Sequence, residues 1–235
     1  MECPDQLTPV APSDLFRALF EAWSVVFNEI PQLDSIFLAL AHWALETGYG
    51  KSCHNFNLGN VKSRDGDGFD YTYFECGEEL PASVADAHAV RSDLLVKQVR
   101  RYATPSGEMV SVRILPKHPW CRFRAYPTLE MGAGMYLSLL HTRFTAAWPA
   151  LVRGDATSFV TGLKHQGYFT APLAQYMTGV QSCLRRLKES VKVDPSTLPT
   201  LTWEDQQATL AHVAVSLDAL ALELAADSGS IPEES

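Results

Sequence analysis

Leu33-Asp-Ser-Ile-Phe-Leu-Ala-Leu-Ala-His-Trp-Ala-Leu-Glu46 is an almost unbroken apolar run, and Thr47-Gly-Tyr-Gly-Lys51 follows at once. The run reads as a buried helix, and Gly48 is a natural left-handed stop for it. Glu46 therefore falls in the last helical turn, at the negative end of the helix dipole and among apolar neighbours. Both surroundings oppose its charge and raise its pKa. A carboxyl kept protonated in this way suits a general acid. The plain alternative is a solvent-facing glutamate at a helix end.

Upstream, Ser13 stands where it would cap a first helix running to about Glu29, with Leu15, Phe16, Leu19, Trp23, Val26 and Phe27 at helical spacing. That stripe reads as core. Pro31 is placed to open the helix that carries Glu46. Residues 55 to about 125 change character. Gly66-Asp-Gly68 is a turn, and Phe69 to Cys76 alternates as a strand does. Residues 84–102 are ambiguous, with helical composition giving way to Leu94–Val99. Met109–Leu115 reads as a strand after the Pro105-Ser-Gly107 turn. Helices return with Thr128 before Leu129, with Asp155 as an N-cap, and with Ala171-Pro172 opening a helix to about Lys188. The expected class is α+β: a mainly helical lobe and a small β-containing lobe, together filling residues 1–190. Residues 191–201 read as a linker, 202–226 as an amphipathic helix, and 227–235 as a disordered tail.

Glu46-Thr-Gly-Tyr-Gly-Lys-Ser52 followed by Asn55-Phe-Asn57-Leu-Gly59-Asn-Val-Lys62 resembles the glucosaminidase family of peptidoglycan hydrolases, of the flagellar muramidase type in the lysozyme superfamily. Cys121-Arg-Phe-Arg-Ala-Tyr126 is similar to that family's Phe-Arg-Ala-Tyr strand. Gly154 to Phe159, followed by Gly167-Tyr-Phe-Thr170, looks like its Gly-Tyr-Ala-Thr segment. Four blocks in order span roughly residues 33 to 187. The resemblance implies a lysozyme-like fold with a glycan cleft between lobes, and cleavage of the β-1,4 bond after N-acetylglucosamine. Muramidase and lytic transglycosylase activities stay open, as does a non-catalytic wall-binding or virion structural module.

Glycosidic hydrolysis needs a protonated acid and a means of stabilising an oxocarbenium-like centre. Glu46 is the expected acid. A second carboxylate is sought among Glu75, Glu78 and Glu79. Glu78 is preferred because Gly77-Glu78 reads as the start of a turn, and Glu75 is the next choice, assigned to substrate binding. The resemblance gives Tyr168 a place near the reacting sugar, while Tyr49 and Asn57 are expected to line the groove. A substrate N-acetyl group can replace the second carboxylate as nucleophile. His42, one turn before Glu46, reads as a core residue rather than part of the site.

The composition narrows the partners. The 235-residue chain is 46% hydrophobic and 20% charged, the balance of a globular protein. A net charge of −8 with no basic run argues against nucleic acid. No apolar run reaches membrane-spanning length. Met1-Glu-Cys-Pro-Asp lacks a signal-peptide pattern, so a product made in the cytoplasm is expected, reaching the wall by holin-type release, in a virion, or by specialised secretion. No cofactor and no metal are expected. Asp65-Gly-Asp-Gly-Phe-Asp70 looks like a calcium loop but lacks the closing glutamate. The five cysteines show no Cys-x-x-Cys spacing; Cys76 and Cys121 are able to approach each other, although reduced core thiols are the favoured reading. The face formed by Leu210, Val213, Leu217, Leu220 and Leu224 would pack on the same domain, self-associate, or dock a partner.

Overall fold

The computed structural model describes residues 1–90, 96–105, 107–169, 171–193 and 198. The expected helix at 202–226, the tail at 227–235 and most of the 191–201 linker lie outside the described residues. Secondary structure runs α1 (Pro12–Phe27), α2 (Leu33–Thr47), β1 (Tyr71–Tyr73), β2 (Cys76–Pro81), α3 (Ala82–Val90), β3 (Val96–Thr104), β4 (Gly107–Ile114), a 3-10 turn (Pro119–Cys121), β5 (Arg122–Arg124), α4 (Leu129–Arg143), α5 (Trp148–Val152), α6 (Ala156–His165) and α7 (Leu173–Ser190). The class is α+β. No described helix is long and apolar enough to cross a membrane.

The chain divides into two compact units. One comprises Leu7–Gly59 with Tyr126 onward, and the other Met1–Gln6 with Asn60–Ala125. Among its described residues, the first unit takes its regular structure from helices alone. Helix α2 is its centre, because side chains on every face of it are buried, from Ser35 to Trp43. It packs against α1, α5 and α7. Gly48, at φ 58°, ends the helix, and the Tyr49 N–H donates to the Ala44 carbonyl at 2.9 Å. Thr47 then links helix to turn: its hydroxyl donates to Trp43 O at 2.8 Å and accepts from Gly50 N at 2.9 Å. Gly50 has φ 80°, and a Cβ there would lie 2.9 Å from the Trp43 ring, so no other residue fits this turn without displacing the ring.

Two helix starts differ from their expected positions. Pro12, not Ser13, begins α1. Ala11 is its N-cap and offers no side-chain cap; the proline needs none for its own missing N–H. Helix α2 begins at Leu33, because the first N–H groups of the turn, Ser35 and Ile36, bond to Gln32 O. Pro31 is buried just ahead of it. Asp155 caps α6 as expected, accepting from Ser158 N, and Thr128, where the helices return, caps α4 by accepting from Met131 N.

The second unit holds two antiparallel sheets, β1-β5 and β2-β4-β3. The expected single strand from Phe69 to Cys76 is two strands in different sheets. Its Tyr71–Tyr73 part pairs with Arg122–Arg124, and Cys76–Pro81 pairs with Met109–Ile114. The break has a packing cause: Phe74 stacks on Phe123 with centroids 3.9 Å apart, and its N–H donates to Cys121 O, so the strand leaves the first sheet there. Phe74, Val110, Val112, Ile114, Cys121 and Phe123 share the core of this unit.

The calcium-like loop is an internal ion-pair site. Asp67 accepts from the backbone N–H of Arg64 and of Phe69 at 3.1 Å, and from Arg124 Nε at 3.1 Å. Both charged side chains are almost fully buried. Arg124 thus stands where a cation was conceivable, and its guanidinium also lies over the Phe69 ring.

Candidate active site

Glu46 is half-buried at the end of α2. Helix α7 brings Tyr176 to it: Tyr176, Val180, Cys183 and Leu187 form the buried stripe of α7, at helical spacing. Gly179, one position before Val180, lets α7 come close to α2, since a Cβ there would sit 2.9 Å from Leu45 Cδ1. At the end of this stripe the Tyr176 hydroxyl donates to Glu46 Oε1. The Tyr176 ring is in turn stacked face to face on Phe169, with centroids 3.6 Å apart and planes within 3°.

Burial pushes the Glu46 carboxyl above its ordinary range, and the hydrogen bond from Tyr176 works the other way. The Tyr176 phenol is itself driven far up, by burial first and then by the Glu46 charge, so it stays protonated and remains a donor. A carboxyl of this kind has a neutral partner where an ion pair would otherwise hold it ionised. It is equipped to give up a proton to a nearby oxygen and take it back.

Tyr168 is half-buried beside the same carboxyl, whose charge adds to burial in raising its phenol. Its backbone N–H donates to Leu163 O at 3.0 Å after the left-handed Gly167, and its ring packs between His42 and Phe144. Lys164 fixes the loop that follows, donating to Ala171 O at 3.0 Å. His42 is fully buried and burial alone lowers its pKa to about 3, so it is neutral. Its Nδ1 lies 2.5 Å from the Tyr136 hydroxyl, which donates to Ala39 O at 3.2 Å. Held in this way, the imidazole is scaffold, as its sequence context suggests.

The other expected site residues lie as follows. Asn57 is fully buried and cannot line an open groove. Its loop is instead packed under α4, where Gly132 leaves no room for a side chain: a Cβ would meet Phe56 O at 2.2 Å. Tyr49 has its hydroxyl buried, with Cys183 and Arg186 of α7 as neighbours that perturb it; it braces the turn against α7. Glu78 is not at a turn. It sits within β2 opposite Val112, and Lys62 Nζ lies 3.4 Å from its carboxylate. Glu75 pairs with Arg113 at 2.5 Å, and Glu79 accepts from the Tyr102 hydroxyl at 2.8 Å. These three carboxylates belong to the β-containing unit and Glu46 to the helical one.

Tyr176 was the residue the sequence reading missed. A tyrosine on the apolar stripe of a helix reads as core, and the residue's ring is indeed core; only its hydroxyl serves the site. Comparison of the chain with protein-family models, with curated proteins and with solved structures gave no match, so the chemistry of the site rests on the residues themselves.

Proposed function

We propose that the chain is a peptidoglycan hydrolase of lysozyme-like fold, a glycosidase in which Glu46 is the general acid for cleavage of a β-1,4 bond, most simply the bond after N-acetylglucosamine. The observation that carries this reading is the Glu46 carboxyl: half-buried, raised by desolvation, and held by a phenol rather than by a cation. Tyr168, beside it, is suited to orient the acetamido group or a water. The motif blocks around Glu46, Arg124 and Tyr168, similar to those of the glucosaminidase family, support the same assignment. Glycan strands of the wall are then the partner. Delivery would follow synthesis in the cytoplasm by lysis, by a virion or by a specialised secretion route.

The ion pairs of Glu75 and Glu78 favour a single-carboxylate chemistry. In that case the substrate's own N-acetyl group completes the displacement, or the reaction closes an anhydro ring as lytic transglycosylases do. Digesting purified peptidoglycan, reducing the products and identifying the new ends by mass spectrometry separates these outcomes. A glucosaminitol end supports the proposal as stated, a muramitol end makes the protein a muramidase, and an anhydro end makes it a transglycosylase. Binding to the wall without any new ends would leave a glycan-binding or virion structural module and overturn the enzymatic reading.

A further inference from the structure

Cys76 opens β2 and Cys121 closes the 3-10 turn before β5, 45 residues further along the chain. Both are free thiols, and their sulfurs are 3.0 Å apart. Neighbouring backbone holds them together. Cys76 is the register partner of Ile114, and the Cys121 thiol donates to Ile114 O at 3.2 Å. The Phe74 N–H donates to Cys121 O at 3.3 Å on the other side. A disulfide bond is about 2 Å long, so closure asks for a movement of only about 1 Å.

We infer that Cys76 and Cys121 form a disulfide when the protein meets an oxidising thiol–disulfide pool, and that this bond ties the start of the three-stranded sheet to the edge of the two-stranded one. The reaction is exchange with a small-molecule disulfide. Cys76 is partly exposed whereas Cys121 is fully buried, so Cys76 is the sulfur an external reagent reaches first. Its thiolate attacks the reagent, forming a mixed disulfide and releasing one small thiolate. That thiolate takes the proton of Cys121, and Cys121 then attacks the Cys76 sulfur and expels the second small thiolate, which takes up the proton that Cys76 gave to solvent. Two protein thiols are oxidised, one reagent disulfide is reduced to two thiols, and the protons balance. Lys62 Nζ, 3.8 Å from the Cys76 sulfur, favours the attacking thiolate. Burial and the neighbouring thiol outweigh it and hold Cys76 up at about 12, so closure is slow, on the scale of minutes to hours. The pair lies in the β-containing unit, and its closure does not depend on any activity at Glu46.

The test is to incubate the full chain overnight with oxidised or with reduced glutathione, alkylate the remaining thiols, and map the unreduced digest by mass spectrometry. The expected product under oxidised glutathione is a Cys76–Cys121 cross-linked peptide, two hydrogens lighter than its parts. The oxidised protein should also melt about 4 °C or more above the reduced one, as a long loop closed in a small unit requires. Cys76→Ser and Cys121→Ser should each abolish both effects, with Cys76→Ala as a second variant if the serine disturbs β2. Full alkylation of both cysteines after oxidation overturns the inference. So does a glutathione adduct that stays on Cys76, a cross-link to Cys3 instead, or a cross-link that leaves melting unchanged.

Discussion

Two carboxylates withdrawn from water, Asp67 in the β-containing unit and Glu46 in the helical one, meet opposite partners. Asp67 accepts from two backbone N–H groups and from the buried guanidinium of Arg124. Glu46 is desolvated and accepts a hydrogen bond from the Tyr176 phenol, which brings no charge. Burial is common to both; what differs is whether the partner brings a charge. The first arrangement fixes a loop, and the second raises the carboxyl's hold on a proton. A third group of acids, Glu75, Glu78 and Glu79, stays near the surface in ion pairs or hydrogen bonds and has neither property.

This contrast can be broken experimentally, and the largest effect should come from Glu46→Gln. Wall-degrading activity should fall at least about a hundredfold, the low end of general-acid contributions, measured as release of reducing ends. The same variant should gain thermal stability at neutral pH. The sign follows from the raised pKa: between the unfolded and folded values the folded state holds a proton that the unfolded state has lost. Stability from this group is complete below the ordinary carboxylate range and is lost as pH rises through the folded pKa. The melting difference between Glu46→Gln and the parent should therefore vanish in acid and open as pH rises. A difference that grows toward acid would refute the assignment.

Next in size is the Asp67–Arg124 pair. Arg124→Ala leaves a buried carboxylate without its cation and should cost about 3–5 kcal/mol in denaturant unfolding of the β-containing unit. A loss below 1 kcal/mol would mean that the two backbone donors suffice. Smaller again is Tyr176→Phe. Removing the donor takes away the one contact that lowers the Glu46 pKa, so the alkaline limb of the pH–activity profile should move to higher pH, with kcat changed by less than about tenfold. An unmoved limb would show that the phenol only fills space. The least effect belongs to Glu78→Gln. Exposed ion pairs contribute roughly 0–1 kcal/mol, and activity should stay within about threefold of the parent. A loss comparable to that of Glu46→Gln would restore Glu78 as the second carboxylate.

How far the sequence could be read depended on the range of the forces involved. Helix α2 and its Gly48 stop, and the cap at Asp155, are set by neighbours within four residues, and all were legible. The split between β1 and β2 was not, because it depends on Phe74 meeting Phe123, 49 positions away. For the same reason Glu78 was read as a turn residue: its place opposite Val112 is fixed by strand register, which local composition does not encode. Asp67 sat in a turn that resembled a metal loop until Arg124 was found beside it. Tyr176 was hidden by its own periodicity, since the stripe that carries it to Glu46 is the stripe any core helix would show.

The close approach at Gly179 gives the acid a form of control that involves neither its identity nor its immediate partner. Glu46 and Tyr176 come from separate helices, and between them Gly179 faces the Leu45 side chain with no side chain of its own. A methyl group there would press on the end of the Leu45 side chain, one residue before Glu46, and reach the acid only through its neighbour, leaving both groups chemically unchanged. Proton affinity in this protein is thus partly a matter of carpentry, adjustable from one turn away along α7.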